Sequence, residues 1–201
     1  MRTKGPGEAA LLLLDVVAVL RAEKIGYAVI GAMAASVHGV VRASVDADAV
    51  LSLTAAELGS LERKFKAAAF QTELRRGDPE DPIAALLALT DPHENRVDLL
   101  VGLRGLEAEA FSRAIDVPFV GEVLRVVGRE DFIAMKVFAG GPQDLTDAGS
   151  ALAVAQGSLD LSLLRRLTTR YGRAASDSLE ALLAASCSTA ETGSRSDTPS
   201  R

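Results

Sequence analysis

The chain has 201 residues, enough for one domain with a substantial core and a helical appendage, and its composition is 48% hydrophobic, 24% charged and only 4% aromatic. A net charge of −5 excludes the global basic field that drives non-specific nucleic-acid binding. A single cysteine, Cys187, excludes an internal disulfide and fits a reducing cytosol.

From the N-terminus, Glu8 to Lys24 reads as a helix stopped by Gly26. Its apolar run LLLLDVVAVL is broken by Asp15 and is far shorter than the roughly 20 residues a membrane span needs, so the expected protein is soluble and cytoplasmic with no membrane partner. A buried strand follows at Tyr27 to Ile30, then a turn at Gly31, a short helix, a loop at His38-Gly39, and a second strand carrying Asp46 and Asp48. Thr54 and Glu57 form a capping box that predicts a helix through about Ala68. Phe70 to Arg75 reads as a short strand and RGDPEDP (76–82) as a surface loop. The apolar run from Ile83 to Thr90 suits a strand or a buried helix. The DPHEN turn then feeds a strand at Arg96 to Val101 that contains Asp98.

Further on, the pattern predicts a helix over Gly105 to Arg113, a hairpin over Val117 to Val127 around Gly121, and a helix over Glu130 to Ala139. Gly140-Gly141-Pro142 breaks the chain, and two or three more helices run from about Gln143 to Ala185. From Ser186 the sequence turns polar and is expected to be disordered. The fold class is α/β (α+β): a small mixed sheet flanked by helices, with a helical C-terminal part. The expected division is a first domain over 1–155, a helical extension packed on it over 156–187, and a disordered tail over 188–201.

Residues two apart on a strand share a face, so Asp46 and Asp48 present both carboxylates to one side. Two such groups repel, and a divalent cation removes the conflict; Mg²⁺ is usually held by one or two carboxylates plus substrate phosphates. Asp98, flanked by Val97 and Leu99, is a costly choice for a purely structural position. If its strand lies beside the Asp46/Asp48 strand, three carboxylates share one site, as in two-metal chemistry.

A glycine turn after the first strand, a short helix, D-x-D on the next strand and a later Asp on a neighbouring strand resemble the nucleotidyltransferase fold of the DNA polymerase β superfamily. More narrowly, Gly31, Ala34, His38, Gly39, Arg42, Ser44, Asp46 and Asp48 are similar to the motif of the minimal bacterial AbiEii/AbiGii-toxin-like nucleotidyltransferases. EDFIAMKVFAGGPQDLTDAGSAL (130–152) is similar to their downstream segment. The likeness spans roughly Tyr27 to Leu152. It implies Mg²⁺ or Mn²⁺ on Asp46, Asp48 and Asp98, and an NTP such as ATP beside Gly31, Ala32, Arg42, Ser44 and Lys136. It also implies transfer of NMP to an RNA (tRNA) or protein hydroxyl, with a cognate antitoxin or other partner in a toxin-antitoxin or phage-defence pair.

Alternatives stand beside these roles. Catalytic relatives usually read Gly-Gly or Gly-Ser where this chain has Gly31-Ala32, and Ala32 supplies no hydroxyl; the second reading is a non-catalytic module that binds nucleotide or a partner. His38 suits packing better than chemistry. Arg42 suits a phosphate or an acidic neighbour. Lys136 lies on the apolar side of its helix and needs an anion: a triphosphate, a metal-site carboxylate, or Asp144 or Asp147. Arg166, Arg170 and Arg173 share a helical face that suits solvent better than RNA.

Overall fold

The computed structural model describes residues 1–40, 45–155 and 157–193, with side chains through 186. Its architecture is a seven-stranded mixed sheet with helices, the mixed α/β class expected from the sequence. Two compact units are distinguishable, one from residues 1–37 and 45–128, the other from 38–40 with 129–155 and 157–193.

The first unit holds the whole sheet, in the order β3-β4-β5-β2-β1-β7-β6. The strands are β1 (Tyr27–Ile30), β2 (Asp46–Leu51), β3 (Gln71–Arg76), β4 (Ile83–Thr90), β5 (Arg96–Leu103), β6 (Ile115–Phe119) and β7 (Glu122–Val126). β2 runs antiparallel to β1 and parallel to β5, so the conditional pairing of the two Asp-bearing strands is realised. The run at 83–90 is a strand: it pairs with both β3 and β5, satisfying its backbone on both edges.

Helix α1 (Ala9–Ala22) lies against β2, β5 and β7, burying Leu12, Leu13, Val16, Val17 and Leu20. Helix α2 (Gly31–Val37) follows β1 directly, and α3 (Leu58–Ala67) covers β3 and β4 through Leu58, Leu61 and Phe65. Val97, Leu99 and Val101 point into this core, 0 to 1% exposed. Asp98 is on the opposite face by strand alternation.

Several boundaries differ from the sequence pattern for local reasons. Helix α1 ends at Ala22, and the residue that stops it is Lys24, not Gly26: Lys24 takes φ 57°, its N–H donates to Arg21 O, and Ile25 N–H donates to Leu20 O, a Schellman motif. Gly26 instead makes room for Ser52, whose Cβ would stand 3.2 Å from a Cβ on the glycine. Helix α3 starts at Leu58 because Glu57 Oε2 is occupied by the Thr54 amide and hydroxyl, at 2.8 and 2.7 Å, closing a separate turn first. The expected helix at 105–113 contracts to α4 (Ala110–Arg113). Before it, Leu106 N–H reaches Leu103 O and Ala110 N–H reaches Glu107 O, single turns that do not propagate.

The second unit is helical: α5 (Arg129–Ala139), α6 (Pro142–Ala155), α7 (Leu161–Thr169) and α8 (Arg173–Gly193). α8 continues past Ser186, since adding one residue to an existing helix costs little even where composition is polar. Among the described residues no helix is long and apolar enough to cross a membrane.

Candidate active site

The parallel register sets Asp46 opposite Arg96 and Asp48 opposite Asp98, while Ile30 at the end of β1 flanks Asp48 from the other side. Directly paired residues share a face, so all three predicted carboxylates stand together on one side of β2 and β5. Each is half-buried, as their alternating positions predict.

Asp48 is seated against Gly31. A Cβ on residue 31 would lie 2.1 Å from Asp48 Oδ2, and Gly31 has φ +63°, so both space and backbone conformation require glycine there. This is where the chain leaves β1 and enters α2, and it makes the glycine turn and the D-x-D strand one construction. Ala32 is buried, and with Met33, Ser36, Gly7 and Ala10 it walls a cleft of about 120 Å³ that opens at Asp46. A larger cavity, about 300 Å³, lies at the far end of β2 and β5 around Leu53, Leu106 and Phe111, away from the carboxylates.

Asp98 has a partner the sequence pattern did not single out. Arg96 donates Nε–H to Asp98 Oδ1 at 2.7 Å and a second N–H to Oδ2 at 3.1 Å, a two-pronged charge-assisted fork. Both Asp98 oxygens are thereby engaged, and among the described residues no group of three or more His, Cys, Asp or Glu is arranged to hold a metal ion. The signal was present: Arg96 and Asp98 repeat the i, i+2 spacing of Asp46 and Asp48, which puts them on one face.

By donor type the face fits a divalent cation. It offers hard carboxylate oxygens, half-buried, with Asp48 held in a glycine cradle that a Cβ would fill. Asp46 and Asp48 could serve as its ligands, while Asp98 is held by Arg96.

Arg42 and Ser44 lie outside the described residues. Lys136, in the helical unit, takes the carboxylate partners the sequence left open: Nζ is 2.7 Å from Asp144 Oδ1 and 2.9 Å from Asp147 Oδ2. Asp147 is fully buried and also accepts from Gln143 Nε2, so this is a core ion cluster. His38 is 2% exposed with its ring 5.1 Å from Phe132, a packed histidine. Arg166, Arg170 and Arg173 are exposed on α7, its end and α8.

No family model matches the sequence, and no curated protein does. Solved structures do. An antigenic nucleotidyltransferase-like protein from Paracoccidioides brasiliensis aligns over 94% of both chains with TM-score 0.56 and 15% identity. The antibiotic-resistance factor ANT(2″)-Ia, in a solution structure, aligns over 89% of this chain and 96% of its own with TM-score 0.53 and 16% identity. The same factor in crystal complex with adenylyl-2″-tobramycin covers 81% and 98% with TM-score 0.54 and 15% identity. The chain therefore has the nucleotidyltransferase-like fold.

Proposed function

We propose that this protein is a metal-dependent nucleotidyltransferase that moves NMP from an NTP to an acceptor hydroxyl. The observation that carries this is the register that sets Asp46, Asp48 and Asp98 on one face, with Asp48 lodged against Gly31. Asp46 and Asp48 would hold Mg²⁺ or Mn²⁺, with Asp98 as the third carboxylate. Bound there, the cation would neutralise the phosphates and the departing pyrophosphate.

The chain's own residues do the rest. The missing side chain at Gly31 lets Asp48 sit against the backbone, and the cleft that Ala32 shares with Asp46 would take the nucleotide. Asp98 takes the proton of the acceptor hydroxyl as its oxygen bonds to the α-phosphorus; the bond from the α-phosphorus to the bridging oxygen breaks and pyrophosphate leaves. Arg42 and Ser44 are assigned to the nucleotide by resemblance. Lys136 is assigned to its own helical unit, where Asp144 and Asp147 satisfy its charge.

The AbiEii/AbiGii-like motif supports a tRNA or protein hydroxyl as acceptor, with a cognate antitoxin in a toxin-antitoxin or phage-defence pair. The likeness to a factor solved with adenylyl-2″-tobramycin supports an antibiotic hydroxyl. A second reading, a module that binds nucleotide or a partner without turnover, draws on Ala32 in place of a hydroxyl-bearing or second glycine residue.

The test supplies labelled NTPs with Mg²⁺ or Mn²⁺ and three acceptor pools: total tRNA, lysate protein and an antibiotic panel. Label on one pool, lost in Asp46→Ala/Asp48→Ala, is the expected result and names the acceptor. Cation-dependent NTP binding without transfer to any pool selects the binding module.

A further inference from the structure

Arg96 opens β5 opposite Asp46, on the same face as the three carboxylates. Its fork engages both oxygens of Asp98, a candidate site carboxylate. The Asp98 side chain is 14% exposed and that of Arg96 38%, so the carboxylate lies inside and the guanidinium at the lip. The surroundings are acidic. Asp46 faces Arg96 directly, and beyond Ala88 on β4 stands Glu73 of the edge strand β3. The guanidinium is held more firmly protonated first by its bond to Asp98, with Glu73 and Asp46 contributing at longer range.

Asp48 and Asp98 occupy directly paired positions, and three carboxylates so placed repel unless a positive charge stands among them. Arg96 supplies one. A planar guanidinium that grips both oxygens fixes the orientation of Asp98 and leaves it few lone pairs for anything else. Those lone pairs are the ones a divalent cation would need.

We propose that Arg96 is the counter-ion of Asp98 on this face: it positions Asp98 when no divalent cation is bound, and it competes with that cation for the third carboxylate. Arg96 is thus a positioning residue, and it sets the cation concentration at which the site assembles. The inference rests on the metal-dependent reading of Asp46, Asp48 and Asp98.

The experiment is calorimetric titration of the full chain with Mn²⁺ alone, without nucleotide, for wild type, Arg96→Gln, Arg96→Lys, Asp98→Asn and the double variant Arg96→Gln/Asp98→Asn. Circular dichroism confirms the fold of each. Arg96→Gln is expected to bind Mn²⁺ about tenfold more tightly than wild type, the scale of one charge-assisted bond given up. Arg96→Lys should fall between, since an ammonium keeps the charge without the fork. The gain should vanish when Asp98 is already Asn, which separates local competition from a general change of charge.

Equal or weaker Mn²⁺ affinity in Arg96→Gln overturns the proposal and leaves the metal-dependent reading standing. A gain that persists in the Asp98→Asn background overturns it too, because competition for Asp98 is then not the cause. Absence of Mn²⁺ binding from every protein in the series overturns that reading and the proposal together.

Discussion

At the scale of single residues, two backbone positions decide more than their size suggests. Gly31 combines φ +63° with a contact no side chain could replace, since its Cβ would fall 2.1 Å from Asp48 Oδ2. Gly31→Ala must therefore adopt a left-handed conformation costing about 1 to 2 kcal/mol and push Asp48 from its seat. We expect transfer to fall by on the order of 100-fold while the chain stays folded, because a displaced group near the chemistry costs that much in rate. A melt within a few degrees of wild type, read beside the transfer assay, separates this from unfolding. Val120 is the converse case. It and Gly121 form the tip of the β6–β7 hairpin at φ 47° and 76°, a turn that suits Asn-Gly, and the valine is 65% exposed. Val120→Asn should stabilise the protein by about 1 kcal/mol in urea unfolding, because a β-branched residue strains this conformation and its side chain buries little.

At the scale of elements, α3 and α5 show what the amino-acid pattern reveals and what it hides. The turn after α3 repeats the Schellman geometry of α1, with Ala69 N–H donating to Lys66 O and Phe70 N–H to Phe65 O. The two phenylalanines meet edge-on at 5.3 Å. The left-handed residue there is Ala69, at φ 65°, where glycine is the ordinary choice; the helix still ends at Ala67, within a residue of the expected Ala68, without a glycine to mark the stop. Ala69→Gly should raise stability by about 1 kcal/mol, measured by denaturant midpoint at constant m-value. In α5, Lys136 advertised its need for an anion by lying on the apolar side, yet which anion depended on α6 packing. Lys136→Met should cost about 3 to 5 kcal/mol, since it strands Asp147 in the core; adding Asp147→Asn should recover part of that. The carboxylate face was legible in the same partial way. Spacing put Asp46 and Asp48 together and marked Asp98 as out of place in an apolar strand. The strand pairing that joins them is long-range, and the Arg96 fork depends on a rotamer, which no local pattern encodes.

At the scale of the whole molecule, one buried carboxylate ties the N-terminal segment to the turn between β4 and β5. Asp91 is 2% exposed, in the turn between β4 and β5. Its Oδ1 accepts from the amides of His93 and Asn95 at 2.8 and 2.9 Å, and its Oδ2 accepts from Asn95 Nδ2 at 2.8 Å. Asn95 in turn donates to Gly5 O at 2.8 Å and accepts from Glu8 N–H at 2.6 Å, fixing the segment that leads into α1. Burial alone pushes the Asp91 carboxyl upward, but the bonds from Asn95 and His93 outweigh it and hold it below the ordinary 3.8. The folded state then binds its proton less readily than the unfolded chain. The associated stability is present above the unfolded value and is lost as pH falls below 3.8 through the folded one. Glu57, Glu62, Glu73, Glu122 and Glu180 are lowered in the same direction, chiefly by hydrogen bonds to their partners, but from 4.5 and at the surface. The share that belongs to Asp91 is therefore the part of the acid slope that a variant of that residue alone removes. Urea unfolding at a series of pH values should show wild-type stability falling steeply in acid. Asp91→Asn should lose about 1 to 3 kcal/mol at neutral pH and show a shallower acid slope, because its group no longer titrates. An unchanged slope in the variant would mean that the knot is held by Asn95 and its backbone partners, with the Asp91 charge incidental.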